Sequence, residues 1–141
     1  MIARAILAFL GLLGLAISLF FTLVYYGKMR ADATAVPKLC RLENSSCQEL
    51  IRTKEAHLFG LPNFVIGLCF YLALLVFSFL PDGAAPLLER TLVLASGGAV
   101  TIGIFLSYVL VVRLRANCIL CFASHLINAF IFGLLLYGRG V

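Results

Sequence analysis

Asn117-Cys118-Ile119-Leu120-Cys121 stands at the head of an uncharged apolar run, Ile119 to Gly138, and its reading decides the fold. A run of that length can cross a bilayer, which takes about 20 residues of helix. If the helix begins at Cys118, Asn117 is its N-cap, and the two sulfurs share one face because residues three apart are neighbours on a helix. The positive end of the helix macrodipole then favours a thiolate at Cys118, the species that attacks disulfides. Cys121 lies a turn deeper in the apolar run.

Outward from this stretch, three more runs have the same character: Ala5 to Gly27, Leu58 to Leu80, and Thr91 to Val112. With 63% hydrophobic residues in 141, the chain carries more apolar surface than a soluble core of its size needs. No run contains a central charge, which would cost roughly 2.5–3.5 kcal/mol on the insertion scale. The expected fold is therefore all-α: a single integral membrane domain over residues 1–141, a four-helix bundle with spans near 5–27, 58–80, 91–112 and 119–138. Ala31-Asp32-Ala33 resembles a signal-peptide cleavage site. The first run, however, exceeds the 7–15 residues of a signal core, and Lys28 and Arg30 intervene, so a retained span is expected. The net charge of +5 does not point to nucleic acid, because the basic residues lie in the linkers, where lipid headgroups are their natural neighbours.

Between the first two runs, Gly27 to His57 is the one substantial polar segment, and it carries a second cysteine pair, Cys40 and Cys47. Ser46 followed by Glu49 fits a capping box, so a short amphipathic helix is expected there, with Leu50 and Ile51 on its apolar face. His57 reads as a solvated residue of this segment. Phe59-Gly60-Leu61-Pro62 breaks the chain and places Asn63 near the membrane boundary. Pro81-Asp82-Gly83 reads as a tight turn, making spans two and three antiparallel neighbours. Gly97, Gly98 and Gly103 suit close helix packing. Four spans place the Cys118 mouth and the Cys40 to Cys47 segment on one side of the membrane.

Five cysteines leave Cys69 alone inside the second span, where a thiol behaves as a small hydrophobe. The other four could form structural disulfides, a zinc site or a redox relay. A lipid-embedded bundle has little need of disulfides for stability, and the six residues between Cys40 and Cys47 exceed the usual zinc spacing. The relay is favoured, because Cys-x-x-Cys at a helix start has a lowered thiol pKa and a second pair can exchange with it. No Rossmann, haem-attachment or flavin motif is present, so a membrane-soluble acceptor is indicated. Cys121 is where a quinone ring dissolved in lipid could meet a thiolate.

These residues resemble the vitamin K epoxide reductases and their bacterial disulfide-forming homologues across nearly the whole chain. The resemblance is carried by Cys40 and Cys47, then Thr53, Phe59-Gly60, Asn63 with Gly67 and Tyr71, and Cys118 and Cys121 with Asn128 downstream. It implies that Cys118 and Cys121 form the quinone-facing pair, with Cys121 engaging a quinone of the menaquinone, vitamin K or ubiquinone type. Cys40 and Cys47 are then the shuttle pair, with Cys40 taking electrons from a thioredoxin-like partner and Cys47 exchanging with Cys118. Thr53 and Asn63 fall where the family binds the quinone. His125 stands where the vertebrate enzymes carry Tyr. No thioredoxin-like domain is expected within the chain. Two alternatives keep the sequence but change the role: reduction of a vitamin K epoxide by a dithiol, and a structural or zinc-binding membrane protein.

In the family's orientation the cysteines lie outside the cytoplasm of a multi-pass cell-membrane protein, as thiol oxidation also suggests. The charges argue the reverse. Arg4, Arg90 and Arg139 lie on the cytoplasmic side in that orientation. The cysteine side holds Lys28, Arg30, Lys38, Arg41, Arg52, Lys54, Arg113 and Arg115, against the positive-inside rule for short loops.

Overall fold

The computed structural model describes residues 2–28, 52–58, 60–81, 83–113, 115 and 118–139. Cys40, Cys47, the Ser46 to Glu49 capping box and Asn117 lie outside the described residues. Within them the chain is mostly helical. Helix α1 spans Ile2–Tyr25, α2 Asn63–Phe79, α3 Pro86–Tyr108 and α4 Ile119–Arg139. Three apolar segments, Ile2–Tyr25, Pro86–Arg113 and Ile119–Gly138, are long enough to cross a membrane. The remaining helix, α2, carries no charged residue but has 17 residues, about 25 Å of helix against a hydrocarbon core of about 30 Å.

The break expected at Phe59-Gly60-Leu61-Pro62 is present, and α2 begins directly after it at Asn63, so the helical part of the second run is shorter than its apolar stretch from Leu58 to Leu80. Pro62 precedes α2 in an extended conformation, with φ of −60° and ψ of 133°, and Gly60 takes a φ of +83° that only glycine adopts freely. The two form a small hairpin: strand β1, His57–Leu58, pairs antiparallel with β2, Leu61–Pro62, in the register His57 to Pro62 and Leu58 to Leu61. A single 3₁₀ turn over Lys54–Ala56 precedes it. Together these residues form a strap leading into α2. At the other end of α2, Pro81 and Ala84 close a turn (N–H to O, 3.1 Å), with Gly83 at a φ of +75°. Arg4 reaches across from α1 to donate to the Leu80 carbonyl oxygen, and its guanidinium lies 5.6 Å from the centre of the Phe77 ring.

The third run continues past α3 as a π turn, Val109–Arg113. The widened turn buries Val109 and Leu110, and π turns recur where a helix serves a site. Packing is pairwise, α1 chiefly on α2 and α3 on α4, with α1 also touching α4; α2 and α3 are sequence neighbours that touch little. Gly11 and Gly14 of α1 admit Leu75 and Tyr71 of α2, while Gly97 of α3 admits Phe132 of α4. Two clusters form the core. Phe21, Val24, Phe64, Leu110 and Cys118 pack at the Cys118 end, and Leu7, Tyr71, Leu74, Leu92, Ile131 and Leu135 pack beyond. Large apolar side chains such as Phe9, Phe79, Leu94 and Phe130 face outward, as lipid contact requires and water would not favour.

Candidate active site

At the head of α4 the backbone departs from expectation by one residue, and the difference changes the chemistry. The helix begins at Ile119, and Cys118 holds the N-cap position: its carbonyl oxygen accepts the Phe122 amide (3.1 Å), and its sulfur accepts the Cys121 amide (3.4 Å). The sulfur thus does what a Ser or Asp side chain does at other helix starts. Cys121 Sγ lies 2.6 Å from Cys118 Sγ, so dithiol and disulfide interconvert without moving the helix. The Cys121 thiol beside it holds the Cys118 pKa below the ordinary thiol value. Burial pushes the other way, and the amides of Cys121 and Leu120 assist the lowering.

The two sulfurs face different surroundings. Cys118 is fully buried among Phe21, Val24, Phe64 and Leu110. Cys121 opens onto a cavity of about 380 Å³ between the four helices and under the strap. Thr53, Asn63 and His125 line the same cavity, so the structure gathers every quinone-side residue singled out in the sequence, except Cys118, around one space. Cys40 and Cys47 lie outside the described residues.

Each lining residue is held by its element. The Thr53 carbonyl oxygen accepts the Ala56 amide (3.1 Å) and His57 Nδ1–H (2.9 Å). With Nδ1 donating, His57 Nε2 accepts the Tyr25 hydroxyl (3.4 Å). His57 is therefore half-buried and bonded, where a solvated residue was expected. Asn63 Nδ2 donates to the Glu55 carbonyl oxygen at 3.5 Å, which turns Oδ1 inward, and that buried oxygen has no partner among the described residues. Glu55 in turn pairs with Arg113 of the π turn (3.5 Å). His125 sits against Gly103: a Cβ at residue 103 would stand 2.9 Å from His125 Nδ1. Gly103 therefore does more than bring helices together, because it makes room for the imidazole. Deeper still, the Tyr71 hydroxyl donates to Asn128 Oδ1 (2.8 Å).

Sequence reading singled out neither Ser18 nor Glu55, both of which line the cavity. A signal for Ser18 existed, a hydroxyl in the middle of an otherwise apolar span. Glu55 looked like one more charge in a polar linker.

The sequence matches the vitamin K epoxide reductase family over residues 5–136. The chain belongs to that family. It is accordingly a membrane oxidoreductase of the general thiol and quinone type. Comparison with curated proteins finds no match. The cavity residues suit a quinone. Asn63 Oδ1 is an orphaned buried acceptor, the space admits a ring, the walls are largely apolar, and a thiol opens into it. Thr53, Asn63 and His125 line that space and would be the residues to hold such a ring. Among the described residues no three His, Cys, Asp or Glu side chains converge as metal ligands.

Proposed function

We propose that this family member is a quinone-dependent thiol:disulfide oxidoreductase. It oxidises a thioredoxin-like protein and passes the electrons through two cysteine pairs to a membrane quinone, supporting protein disulfide formation. In this reading all four helices cross the membrane, which puts the polar segment with Cys40 and Cys47 on the same side as the head of α4. The observation that carries this reading is the division of labour at the head of α4, where Cys121 opens onto the cavity and Cys118 turns away from it.

The relay runs by thiol–disulfide exchange. The partner's dithiol reduces the Cys40–Cys47 disulfide. A Cys47 thiolate then attacks Cys118, breaking the Cys118–Cys121 bond and releasing Cys121 as a thiolate, and Cys40 resolves the mixed disulfide by attacking Cys47. Capping by the Cys121 amide and the helix dipole make Cys118 a good leaving sulfur when Cys40 resolves the intermediate. When bound, the quinone supplies an acceptor for two electrons and two protons. Cys118 and Cys121 would give up those two electrons and two protons and close their disulfide, which readies the pair for the next exchange. His125 would donate to a ring oxygen, the open Oδ1 of Asn63 would accept from the hydroxyl of the reduced ring, and apolar walls exclude water. We place the mouth on the extracytoplasmic side, where thiol oxidation belongs, against the pull of the eight basic residues there.

The test is anaerobic quinone reduction by purified protein with a reduced thioredoxin-like donor. Turnover is expected for the native chain and background rates for Cys118→Ala and Cys121→Ala; full turnover in either variant would end the relay reading. For orientation, a membrane-impermeant maleimide should label the reduced cysteines of intact cells, and labelling only after lysis would invert the protein.

A further inference from the structure

One cavity-lining hydroxyl is left out of this scheme. Ser18, in the body of α1, is 6% exposed and lines the cavity. Serines in helices commonly turn the hydroxyl back onto their own helix. Ser78 does so to Leu74 (2.8 Å), Ser96 to Val93 (3.0 Å) and Ser124 to Cys121 (2.8 Å). Ser18 offers its carbonyl oxygen to Thr22 (2.7 Å), but its hydroxyl has no partner among the described residues. Asn63 Oδ1 is the one sealed side-chain oxygen without a partner among the described residues; Ser18 offers instead an open hydroxyl. One that faces a cavity points to a ligand.

Its place is well defined. Ser18 Oγ lies 2.8 Å from where a Cβ on Gly67 would stand, so it has room because residue 67 lacks a side chain. Gly67 follows Asn63 by four residues, about one helical turn of 5.4 Å. Across the cavity His125 follows Cys121 by the same interval. The Tyr71 to Asn128 bond fixes the two helices at matching depths, eight residues below Asn63 and seven below Cys121. The cavity therefore has tiers: Asn63 and Cys121, then Ser18 and His125, then Tyr71 and Asn128. One turn is also the height of a six-membered ring with an oxygen at each end.

We propose that the Ser18 hydroxyl binds the second ring oxygen of the quinone, opposite the oxygen nearest Asn63. The assignment rests on the quinone reading above. A hydroxyl both donates and accepts. It can donate to a carbonyl oxygen and, after rotating about its C–O bond, accept from the hydroxyl of the reduced ring. The open Oδ1 of Asn63 can only accept. Ser18 thus serves both oxidation states without backbone movement.

The test is equilibrium binding to the redox-inactive Cys118→Ser/Cys121→Ser protein, comparing menadione with methylnaphthalene, a ring of similar shape without oxygens. Ser18→Ala should weaken menadione binding about three- to tenfold, the range of one neutral hydrogen bond, leave methylnaphthalene binding unchanged, and not lower the melting temperature. Gly67→Ala, which crowds Oγ, should reduce the preference for menadione in the same direction. An unaltered preference in Ser18→Ala, with menadione still bound by the parent, would overturn the Ser18 assignment alone. A parent protein that does not bind menadione would overturn the quinone reading with it.

Discussion

The mouth and the floor of the cavity are built from the same kinds of residue to opposite ends. At the floor, Tyr71 and Asn128 satisfy each other at 2.8 Å, and the Tyr71 ring fills the notch left by Gly14. At the mouth and the tier below it, Asn63 Oδ1 and the Ser18 hydroxyl stay open towards the space, beside a Cys121 thiol whose only partner among the described residues is the other reactive sulfur. The difference teaches where to look for function in a lipid-embedded bundle. Paired polar groups hold helices together, and unpaired ones await something the chain does not supply.

That contrast can be broken most forcefully at the floor. A side chain at residue 14 would fall within the Tyr71 ring, so Gly14→Leu should destabilise the bundle by about 1–3 kcal/mol or more through overpacking, read as a lower denaturation midpoint. The fraction still folded should keep its Cys118–Cys121 exchange. Unchanged stability would mean that the α1 and α2 packing is looser than described.

At the mouth the sharper test is ionisation. Because the Cys118 pKa is lowered in the fold, its thiolate persists to lower pH than an ordinary thiol, whose midpoint is about 8.5. The stabilisation that accompanies this charge is present above the ordinary thiol pKa and is lost as pH falls through the lowered one. Thiolate absorbance of the reduced protein minus that of Cys118→Ser should titrate below the ordinary midpoint. A midpoint at or above it would mean that the Cys121 thiol, with the amides of Cys121 and Leu120, does not hold the charge on Cys118.

A smaller effect separates structure from chemistry. Tyr71→Phe deletes the bond to Asn128 and should cost about 0.6 kcal/mol, the average for hydrogen bonds between membrane helices, while the KM for quinone stays the same. A raised KM with unchanged stability would move Tyr71 from the floor to the ligand.

How much of this was legible in the sequence follows from which interactions are local. The apolar runs gave the helices, because periodicity and charge act within a segment, and the Cys118 to Cys121 spacing put both sulfurs on one face. Thr53, Asn63 and His125 were legible through family resemblance. The break before α2 was legible in Gly60 and Pro62, but the hairpin it contains was not, because two-residue strands leave no periodicity to read. The N-cap was misplaced by one residue, because cysteine is not an expected cap. Ser18 was visible only as a hydroxyl in an apolar span and Gly103 only as a packing residue, since their fuller roles depend on Gly67 and His125 in other helices.

The smallest effect concerns the strap that roofs the mouth. Glu55 lends its carbonyl to Asn63 and its carboxylate to Arg113, so one residue links strap, α2 and π turn. The two bonds differ in kind. The Arg113 side chain is 71% exposed and the Glu55 side chain 29%, and such a pair contributes about 0.2–1 kcal/mol at low salt, screened as ionic strength rises. Glu55→Gln leaves the carbonyl in place and removes only the charge. Its quinone KM should therefore rise slightly at low salt and converge with that of the native chain at high salt. A deficit that persisted in high salt would show that the carboxylate acts inside the cavity it lines, and the division between an open mouth and a closed floor would then need a charged group on its open side.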